Sequence, residues 1–151
     1  MDIRLDDLNG RQVQNLLAVH LAGMHKNSPP DCVYALDLSG LQRANISVWT
    51  AWEGDELMGI GALKQLSPST GEIKSMRTDS RHLRKGVGRA ILNHIIDEAR
   101  QRGYRRLSLE TGSGTEFDAA LSLYRKRGFR NGEPFGGYVA SDFNQFLHLE
   151  L

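Results

Sequence analysis

The segment from Gly71 to Gly88 (GEIKSMRTDSRHLRKGVG) constrains the fold more than any other part of this sequence. Residues Glu72 to Thr78 have the pattern of a β-strand, and a basic glycine loop follows that leads into a helix beginning near Arg89. Glycine lets a backbone approach a ligand closely, and the N–H groups and dipole of a helix start attract anions. The segment therefore predicts an anion site between a strand and a helix.

The glycine loop by itself does not identify the anion. It lacks the G-x-x-x-x-G-K-[ST] pattern of Walker-type nucleoside triphosphatases. It also lacks G-x-G-x-x-G, because Ile91 stands where the third glycine of that motif would follow Gly86 and Gly88. Two glycines fit close packing of a helix on a strand as well as they fit a ligand.

The remaining sequence predicts a mixed α/β domain. Strands are expected at Ile3–Leu5, Ile46–Glu53, Leu57–Leu66, Arg106–Glu110 and Phe143–Leu151. The meandering strands favour an antiparallel part, and the strand–helix–strand unit from Glu72 to Glu110 favours one parallel pair with a right-handed crossover. No linker divides the chain, so we expect a single domain over residues 1–151.

Helix starts are predicted from capping residues. Asn9 is the expected N-cap of a first helix that ends near Gly23 to Asn27, and a short helix is expected around Ala35 to Leu41. Thr115 with Asp118 resembles a capping box for a helix that continues to about Arg127.

Composition excludes several classes of protein. The formal net charge is +1, so no overall field recruits nucleic acid or an anionic membrane. A single cysteine, Cys32, allows no intramolecular disulfide and fits a reducing, cytoplasmic environment. The N-terminus lacks the apolar region of a signal peptide, no window approaches the length of a membrane span, and no spacing predicts a metal site.

Three segments in order resemble the GNAT family of acetyl-CoA-dependent N-acetyltransferases. They are EIKSMRT followed by LRKGVGRAILNHIIDEAR, the strand RLSLETG, and LYRKRGF, in which Tyr124 stands four residues before Gly128-Phe129. The resemblance spans nearly the whole chain and extends to a bacterial subgroup of unassigned substrate. It implies a mostly antiparallel sheet with one splayed parallel strand pair and helices on both faces. One departure is Leu83, where the family's loop often begins with glutamine or arginine.

The resemblance implies acetyl-CoA as cosubstrate and no metal. Backbone groups of Met76, Arg77 and Thr78 would pair with the pantetheine arm like an added strand. The residues that the resemblance assigns to the pyrophosphate are Arg84, Lys85, Gly86, Val87, Gly88 and Arg89. The side chains of Arg84, Lys85 and Arg89 are equally compatible with contact to the 3′-phosphate and with simple exposure to solvent.

The resemblance also implies a catalytic set. Tyr124 resembles the general acid that helps the CoA thiolate leave, since a phenol with a pKa of about 10 can donate a proton or hydrogen bond. From the residues alone, Tyr124 fits a core aromatic beside Phe117 and Leu121. Glu72 and Glu110 are the candidates for the base that deprotonates the amine, because a carboxylate at a strand end can be partly buried with a raised pKa. The alternative to a carboxylate base is a chain of water molecules that accepts the proton of the amine.

The function implied is transfer of acetyl from acetyl-CoA to a primary amine by direct attack in a ternary complex. The amine belongs to a small molecule or a protein, and a homodimer is left open. Irregular segments Met24–Leu38 and Gly132–Asp142 are expected to select the acceptor. Asp31, Asp37 and Glu133 would attract the amine, and Tyr34, Phe135 and Tyr138 would wall the pocket. The alternatives are a non-catalytic CoA-binding sensor or interaction module and, with less support, a phosphate-binding regulator without CoA.

Overall fold

A computed structural model describes all 151 residues, and its seven strands form one sheet in the order β1-β2-β3-β4-β5-β7-β6. The strands are β1 Asp2–Leu5, β2 Ile46–Glu53, β3 Glu56–Ser67, β4 Thr70–Thr78, β5 Arg106–Thr111, β6 Arg130–Asn131 and β7 Gln145–Glu150. The helices are α1 Arg11–Asn27, α2 Leu38–Leu41, α3 Val87–Gln101 and α4 Asp118–Lys126, with 3₁₀ turns at Pro30–Cys32, Ser80–His82 and Thr115–Phe117. None of the helices combines the length and the apolar composition of a membrane span.

The sheet confirms the predicted mixed α/β fold. Every neighbouring pair of strands is antiparallel except β4 and β5, which are parallel and are connected through α3. A first apolar cluster joins α3 and α4 to the sheet through Ile91, Ile95 and Leu121. A second cluster joins α1 through Val13 and Leu17. Helices therefore cover both faces, as expected when each face of a sheet is apolar.

The parallel pair is short, and the two strands then separate. Pairing between β4 and β5 covers only Thr70–Glu72 against Arg106–Ser108. Beyond it, β4 carries a bulge, because its pairing with β3 steps from Lys74 opposite Ala62 to Arg77 opposite Ile60. Ser75 in this bulge has a φ of 56°. Since a bulge bends its strand and increases its twist, the remainder of β4 leaves its neighbour and a cleft opens.

Two glycines in β3 allow α3 to lie close to the sheet. A Cβ at Gly59 would come within 2.7 Å of the Val87 side chain, and one at Gly61 within 2.6 Å of Ile91 Cγ2, both on α3. Real Cβ contacts are longer than this, so any side chain there would push α3 outward. The close packing fixes the start of α3 beside the end of β4.

The predicted capping residues are wrong. The residue before α1 is Gly10 rather than Asn9, and no side chain caps it. No capping-box bond forms at Thr115 either, because residues Thr115–Phe117 make a separate 3₁₀ turn that buries Phe117 against Phe143, with ring centroids 5.5 Å apart. Burial of two aromatic rings outweighs one cap at this position.

Two further boundaries differ from the expected ones. The short helix is confined to Leu38–Leu41, because Asp37 accepts a hydrogen bond from Gly40 N at 2.8 Å and starts it there. The last strand begins at Gln145 rather than Phe143, since Ser141 Oγ accepts a hydrogen bond from Asn144 N and holds the preceding residues in a turn.

Candidate active site

The cleft between the separating strands has a volume of about 370 Å³ and is walled by α1, β4, β5 and α4. It brings together residues that the sequence places far apart. The predicted site residues that line it are Glu72, Met76, Arg77, Thr78, Gly88, Glu110 and Tyr124. The predicted residues Arg84, Lys85, Gly86, Val87 and Arg89 do not line this cavity; they form the loop and the helix start at its end.

Alternation along β4 decides which backbone groups face the cleft. Asp79 N donates to Met58 O at 2.8 Å, so the backbone groups of Asp79 point toward β3. Since successive residues of a strand point their backbone groups to opposite sides, those of Arg77 also point toward β3, and those of Met76 and Thr78 point to the open edge. The strand therefore offers a free edge at Met76 and Thr78, whereas Arg77 offers its side chain.

Tyr124 lies on α4 with its ring buried at the wall of the cleft. The ring packs on Phe129 with centroids 5.8 Å apart, and the hydroxyl makes no hydrogen bond to another residue. Burial raises the pKa of Tyr124 well above its ordinary value near 10. The phenol is therefore held protonated in the cleft and can act as a donor.

Glu72 is held by its neighbours through one carboxylate oxygen. Its side chain is 2% exposed, and its Oε2 accepts hydrogen bonds from Lys74 Nζ at 3.1 Å and from the Tyr138 hydroxyl. Lys74 Nζ also donates to the Tyr138 hydroxyl at 2.7 Å. The three groups form a closed buried network, so the charge of Glu72 is balanced within the protein.

Glu110 is placed differently, at the point where β5 leaves β4. Asn144 Nδ2 donates a hydrogen bond to Glu110 Oε2, whereas Glu110 Oε1 accepts no hydrogen bond from the protein. Burial raises the pKa of Glu110 above its ordinary value, and the nearby Glu72 adds to this effect, while Asn144 and Lys74 oppose it. Glu110 therefore has a free oxygen and an enhanced affinity for a proton.

The segments Met24–Leu38 and Gly132–Asp142, which were expected to select the acceptor, contact each other near Glu72. The Tyr138 ring packs against Tyr34 and Phe135, with centroids 4.8 and 5.2 Å away. Cys32 Sγ lies 3.6 Å from Ser141 Oγ. Of the three aromatic residues expected to wall the pocket, Tyr34 lines the cleft, whereas Phe135 and Tyr138 do not.

The acidic residues expected to attract the amine do not take that position. Asp37 caps α2, and Glu133 is paired with Arg106 Nη1 at 3.0 Å. Neither residue lines the cleft, and neither does Asp31. That expectation was wrong, because loop carboxylates were assigned by their place in the sequence, whereas local caps and ion pairs decide where they point.

The glycine loop has the backbone shape of an anion cradle. Arg84 and Gly86 have φ angles of 62° and 80°, and α3 begins directly after them at Val87. The first N–H groups of α3 have no partners within the helix. The side chains of Arg84 and Arg89 are exposed, whereas Lys85 Nζ lies 3.2 Å from His82 Nδ1. The loop therefore joins unpaired backbone donors to two free cations.

A contact that the sequence did not indicate joins β4 to α1. Arg77 Nε donates to His20 Nδ1 at 3.0 Å, and Arg77 Nη2 lies 3.4 Å from His20 O. Burial, with a smaller effect of Arg77, lowers the pKa of His20 to about 4. The imidazole is therefore neutral at pH 7 and accepts a hydrogen bond from the guanidinium.

The burial of His20 beside Arg77 makes stability depend on pH. Because the pKa of His20 is about 4 in the folded chain and 6.5 as its ordinary value, the unfolded chain binds more protons between these values. The contribution of neutral His20 to the free energy of unfolding is complete above pH 6.5 and is lost as the pH falls toward 4. At pH 5 the loss should be about 2 kcal/mol relative to pH 7.

Urea unfolding of wild type and His20→Gln at pH 7 and pH 5 measures this loss. The free energy of unfolding should fall less steeply with pH in His20→Gln. His25→Gln, an exposed position on the same helix, is the matched control and should keep the wild-type slope. Equal slopes in His20→Gln and wild type would contradict the assignment.

Comparisons with known proteins agree with this architecture. Residues 13–129 match the model of the Acetyltransferase (GNAT) family. The chain is 55% identical to the uncharacterized N-acetyltransferase YsnE of Bacillus subtilis, covering 100% of both chains. It is 46% identical to the uncharacterized N-acetyltransferase YedL of Escherichia coli, covering 99% of this chain and 94% of the other.

Solved structures share the fold. A Klebsiella pneumoniae chain described as an acyl-CoA N-acyltransferase has a TM-score of 0.83 at 25% identity, with 99% of this chain and 97% of that chain covered. A Bacillus subtilis acetyltransferase in complex with CoA has a TM-score of 0.72 at 23% identity, with the same coverage.

Proposed function

The chain belongs to the GNAT acetyltransferase family and is an N-acetyltransferase, and we propose that it transfers acetyl from acetyl-CoA to a primary amine by direct attack in a ternary complex. The observation that carries this proposal is the cleft where β4 and β5 separate, since Tyr124 and Glu110 both line it. Residues 1–151 would act as one catalytic domain.

Acetyl-CoA would lie along the open edge of β4. The backbone groups of Met76 and Thr78 are free there, and an extended pantetheine arm can pair with them as a strand would. Its pyrophosphate would meet the loop from Arg84 to Arg89, where backbone donors and the helix dipole favour negative charge. A solved chain with the same fold has CoA bound, which supports this use of the fold.

Bound acetyl-CoA supplies a thioester carbonyl that an amine can attack and a thiolate that can leave. Tyr124 then acts as the donor: its hydroxyl gives a hydrogen bond to the departing sulfur and stabilises the thiolate as it forms. Burial keeps the phenol protonated, so this donor is always present. Because the Tyr124 hydroxyl has no hydrogen-bond partner in the protein, it is available to donate to the sulfur.

Glu110 is the better supported of the two candidate bases. The amine loses a proton as it forms the amide, and the free oxygen of Glu110 can accept it. Glu72 is less suited to this role, because its carboxylate is already paired with Lys74 and accepts a hydrogen bond from Tyr138. We therefore assign proton acceptance to Glu110 and the positioning of Lys74 and the Tyr138 loop to Glu72.

Glu110→Gln should lower kcat/KM by about 100-fold, because an amide cannot accept the amine's proton. Only ionised Glu110 is active, so wild-type kcat/KM should fall as the pH drops through its raised pKa, and this acid limb should be missing in Glu110→Gln. Glu116→Gln, which changes an exposed carboxylate at the same cleft, is the matched control for charge. Glu110→Gln with wild-type kcat/KM and an unchanged acid limb would exclude Glu110 as the base.

Release of free thiol from acetyl-CoA with a panel of primary amines tests the proposed function. Turnover that depends on both the amine and acetyl-CoA, with acetylated amine found by mass spectrometry, is the expected result. A non-catalytic sensor would bind CoA and release no thiol with any amine. A phosphate-binding regulator would show no rise in melting temperature with CoA at concentrations far above a micromolar Kd.

A further inference from the structure

Arg77 places a cation in the cleft that no carboxylate of the protein balances. Its hydrogen-bond partners are a neutral imidazole nitrogen and a carbonyl oxygen, both belonging to His20. No Asp or Glu oxygen lies within 4.0 Å of the guanidinium. Burying half of a charged group without a counterion raises the free energy of the folded chain, so an anion that binds beside Arg77 would be stabilised.

The fold makes specific room for this guanidinium. A Cβ at Gly23 of α1 would lie 2.8 Å from Arg77 Nη2, so a larger residue there would require the guanidinium to shift from its position against the helix. Gly23, His20 and Arg77 all line the cleft. Because glycine inside a helix costs up to about 1 kcal/mol relative to alanine, the niche is maintained at the expense of helix stability.

No part of acetyl-CoA accounts for this charge. Its phosphates would lie at the loop from Arg84 to Arg89, and the pantetheine arm is uncharged. Of the other basic residues that line the cleft, Lys74 is paired with Glu72, and His20 is neutral. Arg77 is therefore the one unbalanced cation among the residues that line the cleft.

We propose that the acceptor is a zwitterion of the amino-acid type, whose carboxylate binds Arg77 while its amine faces Glu110. This inference rests on the proposed function and names its class of acceptor. The guanidinium is a planar fork that pairs with a carboxylate through two hydrogen bonds. A single unbalanced positive charge suits a carboxylate monoanion better than a phosphate dianion.

The test uses matched probes. Each common α-amino acid is assayed beside its amide and its decarboxylated amine, for example leucine, leucinamide and 3-methylbutylamine. Wild type should acetylate at least one free acid with a kcat/KM roughly 10- to 100-fold above that of its own amide, the range of a charge-assisted pair. The amide's amine is the more easily deprotonated, so amine basicity cannot produce this preference.

Arg77→Gln should bring the acid-to-amide ratio near one, and Arg77→Lys should give an intermediate ratio because the charge remains without the fork. Arg81→Gln removes the same charge from an exposed side chain four residues away and should keep the wild-type ratio. A rise in melting temperature with CoA shows that each variant is folded.

Binding of the N-acetylated amino acid to the CoA complex gives a readout without turnover. Isothermal titration calorimetry should show roughly 10- to 100-fold weaker binding to Arg77→Gln than to wild type. Amides and amines that react as well as the acids, or a ratio unchanged by Arg77→Gln, would overturn the inference and leave the proposed function intact. Absence of acetylation of every probe would also overturn the inference, whereas the proposed function fails only if no primary amine releases thiol from acetyl-CoA.

Discussion

Tyr124→Phe should lower kcat by about 100-fold or more while the Kd for CoA stays within roughly twofold of wild type, because only the proton donor is lost. The ring remains, so its packing on Phe129 is kept. The hydroxyl has no hydrogen-bond partner in the protein, and its removal leaves no buried group unsatisfied. Steady-state kinetics with saturating acetyl-CoA measure the effect.

Tyr104→Phe is the matched control. Tyr104 is equally buried but does not line the cleft, so its variant should keep wild-type kcat. The pH profile of kcat gives a second criterion. Loss of the Tyr124 hydroxyl should slow the reaction most at high pH, where solvent supplies the fewest protons to the leaving thiolate. Wild-type kcat in Tyr124→Phe would remove this residue from the mechanism and assign it to the core.

Gly86→Asp should weaken CoA binding by roughly 100-fold or more, since it sets a carboxylate against the expected pyrophosphate position at the start of α3. A Cβ at Gly86 would meet no atom within 4 Å, so the variant should fold. Its φ of 80° strains any side chain, but aspartate and asparagine tolerate this region best. Calorimetry or the CoA-induced rise in melting temperature measures the loss.

Gly86→Asn separates charge from shape. Asparagine has nearly the same size and the same tolerance of a positive φ, but it carries no charge. It should therefore weaken CoA binding much less than aspartate does. Equal, near wild-type affinities in the two variants would show that the pyrophosphate lies elsewhere.

Local patterns predicted the frame of this fold well. β2 was expected at Ile46–Glu53 and has those bounds, because its β-branched and aromatic residues suit a strand buried on both sides. The strand, glycine loop and helix from Gly71 onward also appear as expected. Their order implies the parallel pair of β4 and β5, since a helix between two strands requires a crossover connection.

Contacts between distant residues could not be predicted in the same way. Tyr138 and Glu72 are 66 positions apart, and Arg77 and His20 are 57 apart. Each pair depends on how a loop or helix crosses β4, and no local periodicity encodes that crossing. The choice between Glu72 and Glu110 depends on these contacts, so the sequence left it open.

The bulge at Ser75 is a second feature that the sequence conceals. Serine has no special preference for a φ of 56°, and only the pairing with β3 shows the extra residue. Yet this bulge helps to turn β4 away from β5 and to free the edge at Met76 and Thr78. The resemblance to the family predicted a splayed pair, whereas the physical cause of the splay required the structure.

A crystal structure of the chain with CoA would test the central claim most directly, namely that the cleft between β4 and β5 is the acetyl-transfer site. We expect the pantetheine arm to pair with the backbone of Met76 and Thr78 and the CoA sulfur to lie within hydrogen-bond distance of the Tyr124 hydroxyl. CoA bound outside this cleft, or a sulfur that faces away from Tyr124, would contradict the account.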